Sequence, residues 1–491
     1  MREGRVVTER VDAAALRAAG RAPATPFSVA LADGSCVVIE RLLRVLPGKR
    51  IVGEGCWNGR HVLAKLFVAN GSVRHWTQER SGIEALSEAG VPTPGIVLAD
   101  ALPGAGHVLL TEFVEGALSL AEVWKPLSSS PAGNDAALAV LSPAFHALGR
   151  LHAAGLVQAD LHLGNFLQGG EDILVIDGDA VRSITPGKPL DEQQACANLA
   201  VLLAQLPMVW DAYRSPLLTA YVAGGGVQPT DPATLDEAVS RVRAWRLRDF
   251  LGKTLRDCTL FSVVRGAWRF SAVRRSEEDF LAPIMAAPDD AMRGGLLLKD
   301  GRTSTVARVE REGRELVIKR YNLKNLRHAL ARFWRPSRAW HSWREGHRLA
   351  FFGIATPAPL ALIEERIGPL RRRAFLVTEH CPGVNLLELL SGDVVPQGDV
   401  AQAIVDLFKS LHDVRISHGD LKATNLLWHA GRVLLIDLDA VQQHTSPQRH
   451  AKAWQRDRAR LLRNWPSTSP LHQWLDANLP PAASWRTMRK T

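Results

Sequence analysis

The sequence predicts an α+β protein built from two successive units of one kind. Three observations carry this. The chain has 491 residues, more than one hydrophobic core ordinarily organises, so two domains are expected. One block of motifs occurs twice, about 260 residues apart. Each half also opens with short β-patterned runs before helical patterns take over, the order of a small sheet followed by helices.

The repeat is read directly from the residues. Gln158-Ala-Asp-Leu-His-Leu-Gly-Asn165 is followed by Ile173-Leu-Val-Ile-Asp-Gly-Asp-Ala180, and His418-Gly-Asp-Leu-Lys-Ala-Thr-Asn425 by Val433-Leu-Leu-Ile-Asp-Leu-Asp-Ala440. In both copies the first Asp precedes the Asn by five residues and the second Asp by seventeen. Upstream, Leu148-Gly-Arg-Leu-His152 matches Phe408-Lys-Ser-Leu-His412, and Gly90-Val-Pro-Thr-Pro94 matches Gly353-Ile-Ala-Thr-Pro357. A period this long marks duplicated domains, not a solenoid.

Strand patterns lie at Lys49-Arg-Ile-Val, His61-Val-Leu-Ala-Lys-Leu-Phe, Ser304-Thr-Val-Ala-Arg-Val and Glu315-Leu-Val-Ile-Lys. The expected organisation is an N-terminal extension at 1–26, a first domain at 27–281, a linker at 282–295 and a second domain at 296–491. The linker is placed by the Pro, Gly and small residues of APIMAAPDDAMRGG, and Ser128–Asp135 reads as an inserted surface loop.

Composition narrows the class. A hydrophobic fraction of 46% with 22% charged residues fits a folded globular chain and excludes disorder. The net charge of +10 favours anionic partners such as nucleotides, phosphorylated sugars or an acidic membrane face. Cys36, Cys56, Cys196, Cys258 and Cys381 form no C-x-x-C pair, against a disulfide scaffold or zinc site and for a reducing compartment. The N-terminal residues do not read as a secretory signal. The longest apolar run, Leu199–Trp210, is too short to span a bilayer. A cytoplasmic protein is expected, with docking on a membrane surface compatible with it.

The duplicated Asp, Asn and Asp suit phosphoryl transfer, which needs positioned phosphates, a metal and an acceptor hydroxyl in line. Asp160 and Asp420 would orient the hydroxyl and take its proton. Asn165 with Asp177, and Asn425 with Asp437, would hold Mg²⁺ through hard oxygens. A lone Asp of this kind ordinarily caps a turn; six residues in duplicated register point to chemistry. Lys65 and Lys319, on early strands, are candidates for clamping ATP phosphates, with Glu79 and Glu345 as their helix partners. Glu345 lies nearer its Gly-x-x-Thr-Pro marker than Glu79 does. Gly53 and Gly55, in Gly53-Glu-Gly-Cys-Trp-Asn-Gly59, would let backbone amides approach phosphates, and Asp300–Thr305 is the corresponding turn of the second half. The strands before Glu112 and Glu379 read as entering a hinge that could bond adenine.

These residues resemble the protein-kinase-like superfamily, and within it the lipopolysaccharide core kinases that phosphorylate heptose or Kdo. The resemblance rests on HGDLKATN, LLIDLDA, LVIKRY and WREGHRLAFFGIATPAPLALIEE, and covers about Leu296 to Trp465; in the first half it covers about Val52–Val181. It implies two tandem bilobal domains, each a small antiparallel β-rich lobe and a mainly helical lobe. It also implies ATP and Mg²⁺ as cofactors, and a sugar hydroxyl of the lipopolysaccharide core or its lipid-linked precursor as acceptor. Peripheral contact with the cytoplasmic face of the inner membrane would follow. Lys422 and His162, two residues after each catalytic Asp, occupy the place of a cation that steadies the transferring group. Neither half has the D-F-G glycine or A-P-E segment of regulated protein kinases, and about fifty residues follow Asp437, which disfavours a peptide acceptor. A protein Ser/Thr or Tyr kinase, and one active half beside a pseudokinase scaffold, remain alternatives.

Two basic, aromatic stretches could meet anionic headgroups or core phosphates. One holds Arg320, Lys324, Arg327, Arg332, Phe333, Trp334, Arg335, Arg338, Trp340, Trp343, Arg344 and Arg348. The other, Arg243–Arg275, reads as the end of the first domain or a bridge. With no nucleic-acid-binding module alongside them, no nucleic acid partner is expected.

Overall fold

A computed structural model describes residues 9–127, 134–170, 172–322, 336–367 and 370–481. The chain divides into two compact units, Met1–Ala244 and Trp245–Thr491, both mixed α+β. Most of the expected loop at Ser128–Asp135 lies outside the described residues, as do Lys324, Arg327, Arg332, Phe333, Trp334 and Arg335.

In the first unit, strands β1 (Glu9–Val11), β2 (Phe27–Ala30), β3 (Cys36–Leu46), β4 (Arg50–Trp57), β5 (Arg60–Phe67), β6 (Ile96–Leu102) and β7 (Gly106–Glu112) form one sheet in the order β1-β2-β3-β4-β5-β7-β6. The β1–β2 pair is parallel and the others are antiparallel. The alternation of β5 places its residues. Val62, Ala64 and Leu66 are fully buried on one face, which the short helix α1 (Ala13–Ala18) covers with Ala13 and Leu16. Lys65 therefore projects from the other face, towards helix α2 (Val73–Glu88). The helical part is organised around α3 (Asp135–Ala153), capped by Asn134, and α4 (Glu192–Leu203), whose Asp191 and Gln194 form a capping box.

The second unit repeats this plan with different strands. β8 (Phe261–Arg265), β9 (Arg269–Arg274), β10 (Leu296–Asp300), β11 (Ser304–Arg311), β12 (Arg314–Tyr321), β13 (Pro359–Ile367) and β14 (Leu370–Glu379) form an antiparallel sheet in the order β8-β9-β13-β14-β12-β11-β10. The boundary thus differs from the expected one. Residues 261–274, assigned to the first domain, supply two strands of the second unit's sheet, with Ala272 paired to Leu362. The expected linker at 282–295 is largely helix: α5 (Glu278–Ala286) and α6 (Pro288–Arg293). Their Leu281, Ile284 and Met292 are buried against Ala307, Leu316 and Ile318. Pro288 opens α6 and Gly294 caps it, while Pro283 lies within α5, so these residues belong to helices under a covered sheet face. The rest of the unit includes α7 (Arg338–Phe351), α8 (Gly398–Asp413) and α9 (Pro447–Leu462).

Among the described residues, several cations of the two basic stretches are engaged in ion pairs. Arg243 pairs with Asp211 at 2.6 Å, Arg320 with Asp289 at 2.7 Å and Arg348 with Glu345 at 2.7 Å. Trp343 is fully buried, whereas Trp245 and Trp268 are exposed.

A buried histidine ties α3 to α4. His152 faces the Tyr221 hydroxyl at 2.8 Å through Nδ1 and Asn198 Oδ1 at 3.1 Å through Nε2. Neutral imidazole satisfies both, accepting from Tyr221 and donating to Asn198. Burial lowers its pKa to about 4. Because the folded value lies below the unfolded one, the stability it contributes is complete above about pH 6.5 and is lost as pH falls towards 4, at most about 3 kcal/mol. His347 and His450, lowered to about 3 and about 4 by burial, act in the same direction in the second unit. Denaturant unfolding at about pH 7 and about pH 4.5 is expected to show this loss, reduced in His152→Gln.

Candidate active sites

Each unit gathers its predicted Asp, Asn and Asp around one loop, and the local geometry nearly coincides. Asn165 Nδ2 donates to Asp160 O at 2.8 Å, and Asn425 Nδ2 to Asp420 O at 2.9 Å. The Ile176 and Ile436 amides donate to the Asn165 and Asn425 carbonyls at 2.9 and 3.0 Å. With its amide nitrogen so engaged, each buried Asn keeps its side-chain oxygen for another partner. Asp177 and Asp437 both adopt the left-handed conformation, φ 71° and 60°, which costs a non-glycine residue about 1 kcal/mol or more and is typical of functional turns.

The loop is fixed to the second Asp by the residue two before the first. In the second unit His418 Nε2 donates to Ile436 O at 3.0 Å, while Nδ1 faces the Asp420 amide at 3.4 Å. Burial lowers the His418 pKa, against smaller opposing contributions from Ile436 O and nearby carboxylates, keeping the neutral tautomer that both bonds need. In the first unit Gln158 Nε2 reaches Ile176 O at 2.9 Å, supplying the same donor without a titrating group.

The lysines differ in their partners. Lys65 forms a tight ion pair with fully buried Glu79 and lies 3.8 Å from Asp177 Oδ1. The Gly178 amide also donates to Glu79 Oε1 at 3.1 Å. That bond requires glycine on both elements: a Cβ on Gly82 would come within 2.0 Å of Gly178 O. Lys319 instead contacts Asp437 Oδ1 at 2.6 Å and Asp439 Oδ1 at 2.9 Å. Burial alone would raise the Asp437 pKa, but the Lys319 ammonium and the more distant His418 and Lys299 outweigh it and leave it lowered.

Glu345 is a correction. Its carboxylate pairs with Arg348 one turn along α7, not with Lys319. Counted back from the Gly-x-x-Thr-Pro marker, the counterpart of Glu79 is Ser342, whose hydroxyl bonds Asp439 Oδ1 at 3.0 Å. Asp439, bonded also by Tyr321 at 2.7 Å, takes over as the second anion beside the lysine.

Gly53 and Gly55 are a second correction. Both lie within β4, where a Cβ on Gly55 would sit 2.0 Å from Val38 O and one on Gly53 2.6 Å from Ile39 Cγ2. Their absence of side chains serves close strand packing beside the β3–β4 bulges. The turn at the lysine end of the sheet is Pro47-Gly48-Lys49, between β3 and β4. Its counterpart in the second unit, Gly301-Arg302-Thr303, falls within the predicted segment.

Two residues of the second site were not read from sequence. Asp457, buried on α9, accepts from the His418 amide at 2.5 Å and the Gly419 amide at 3.0 Å. One turn on, Arg460 Nη1 binds Asp420 Oδ1 at 2.8 Å, while Lys422 stands 3.3 Å from Oδ2. The D-x-x-R spacing on a helix after the second Asp was the available signal. In the first unit Asn198 takes the place of Asp457, donating to Gln158 O at 2.8 Å. Asp160 there is largely exposed, with His162 3.9 Å away.

Residues 296–480 match the Lipopolysaccharide kinase (Kdo/WaaP) family. That span contains Lys319, Asp420, Lys422, Asn425 and Asp437, and the match indicates a kinase, a phosphotransferase. No curated protein matches the chain. Among solved structures, "WaaP in complex with acyl carrier protein" is 20% identical with a TM-score of 0.31, covering 43% of this chain and 86% of that one. A mutant form of the PknI kinase domain of Mycobacterium tuberculosis is 14% identical with a TM-score of 0.28, covering 46% of this chain and 99% of that one. Among the described residues, no helix is long and apolar enough to cross a membrane.

Proposed function

We propose that the second unit is an ATP-dependent kinase that phosphorylates a heptose or Kdo hydroxyl of the lipopolysaccharide inner core, and that the chain is a tandem duplication of kinase-like bilobal domains. The observation that carries the reading is the convergence, inside the span matched by the lipopolysaccharide kinase family, of Lys319, Asp437 and Asn425 with an Asp420 carboxylate flanked by Arg460 and Lys422. The parallel loop bonds of the two units support the duplication.

In this reading the acceptor oxygen bonds to the γ-phosphorus as the bond to the ADP oxygen breaks, and its proton passes to Asp420. Arg460 and Lys422 keep that carboxylate aimed, and Lys422 is also placed to meet the transferring phosphoryl group. Lys319 holds phosphate oxygens. Asn425 Oδ1 and the Asp437 carboxylate are hard oxygen donors of the kind Mg²⁺ takes, and the ion would neutralise phosphate charge there. Asp160, Asn165, Asp177, Lys65 and Glu79 would serve likewise in the first unit, where an exposed Asp160 with His162 in place of a lysine predicts a slower site. A peripheral place at the cytoplasmic face of the inner membrane follows from the acceptor.

The test is phosphate transfer from ATP by the full chain, with Mg²⁺, to delipidated core oligosaccharide and, in parallel, to a generic peptide. Phosphate on the sugar alone is the expected result. Transfer to the peptide alone would replace this reading with a protein kinase.

A further inference from the structure

A cavity of about 380 Å³ opens beside the Asp420 loop, with Gly419 and Ser417 on one wall and Arg449, Lys452, Arg456 and Arg460 on another. The four cations recur at intervals of three and four residues along α9, so they share one face. Arg460 is bonded to Asp420. The other three are exposed, and among the described residues no carboxylate pairs with them. Asp457, the carboxylate on this wall, is spent on the His418 and Gly419 amides. The pocket is therefore strongly cationic where it borders Asp420.

The first unit lacks this surface. Counted from Asn198, which holds the equivalent backbone, the corresponding residues are Leu190, Gln193, Ala197 and Val201. Four cations against four neutral residues, at positions fixed by the same loop contact, mark the charge as a property of the second site and not of the scaffold.

We propose that this pocket is the acceptor subsite of the second unit and takes an acceptor that already carries an anionic group, a phosphate or a carboxylate, close to the hydroxyl addressed by Asp420. The assignment rests on the kinase reading for the role of Asp420. The volume lies within the range of small-ligand pockets, and clustered guanidinium groups suit bidentate binding of either anion. Arg449, Lys452 and Arg456 then select the acceptor, while Arg460 aims the carboxylate.

The experiment titrates free Kdo (a carboxylate sugar), glucose 1-phosphate and glucose into the full chain, its nucleotide sites filled with Mg²⁺ and a non-hydrolysable ATP analogue. The same titrations use Arg449→Gln/Lys452→Gln/Arg456→Gln. At least one anionic sugar should bind and glucose should not. The triple variant should weaken binding by about tenfold or more, with a shallower salt dependence, and a triple Lys/Arg-exchanged variant should recover part of it. Comparison of the two anionic sugars decides between carboxylate and phosphate. In turnover with core oligosaccharide, acceptor KM should rise more than kcat falls. Equal binding by wild type and variant, or equal binding of glucose, overturns the pocket assignment. If core sugar gains no phosphate while the variant still loses the anionic probe, the pocket stands and the sugar-kinase reading fails.

Discussion

Asp420→Asn is expected to reduce phosphate transfer by about 10³-fold, within the usual range for loss of a general base. The amide is nearly isosteric, so the loop should keep its shape, but Asn cannot accept the hydroxyl proton. It also leaves the Arg460 and Lys422 charges, at 2.8 and 3.3 Å, without the carboxylate they flank. The side chain is partly exposed, so folding should be little affected. Asp160→Asn is expected to cost far less, because among the described residues Asp160 pairs with His162 alone, at 3.9 Å, and Val201 stands where Arg460 is. Single-turnover transfer from ATP separates the cases. Retention of more than about a tenth of the rate in Asp420→Asn would remove it as proton acceptor; equal losses in both variants would mean that the units share the work.

Asp457→Ala should be the most damaging structural change near the site. Its carboxylate is 2% exposed and is the acceptor for two backbone amides. Deleting it strands both at about 1–3 kcal/mol each and releases the loop that carries Asp420. A loss of about 3–5 kcal/mol is expected, with activity falling further than stability explains. Asp457→Asn should cost less than about 2 kcal/mol, since Asn198 already performs this task in the first unit. Urea unfolding of both variants checks the ordering. An alanine variant as stable as the asparagine one would show that the loop is held by other contacts.

What the sequence revealed and what it hid follow from the range of the interactions. The Asp–Asn–Asp loops were legible because their geometry is local: Asn bonds to a carbonyl five residues back, at a spacing both copies preserve. Lys65 was legible from its place on an early strand upstream of the loop, matched by Lys319 in the other copy. The β8–β9 hairpin was assigned to the wrong unit because its partner, β13, begins about 85 residues after β9 ends, and no local pattern specifies that pairing. Glu345 misled because a helix offers several carboxylate positions, and only packing shows that Ser342 faces Asp439. Gly53 and Gly55 imitated a loop because glycine also serves strands that approach closely. Asp457 and Arg460 were overlooked because their D-x-x-R signal, an acid and a base one turn apart on a charged helix, looks like an ordinary surface pair.

The exchange of lysine partners also gives the two candidate sites different net charges. Around Lys65 and Arg50 stand three carboxylates, Glu79, Asp177 and Asp179, with exposed His75 adding a charge only when protonated. Around Lys319 and Arg338 stand two, Asp437 and Asp439. The first set thus carries a surplus negative charge and the second does not, with Lys299 a further, more distant cation near Asp437. By Coulomb's law a surplus carboxylate attracts a free divalent ion and repels an anionic magnesium–nucleotide complex. On the proposed kinase reading, the first unit would take up a free metal ion ahead of the nucleotide, and the second would admit the two as one.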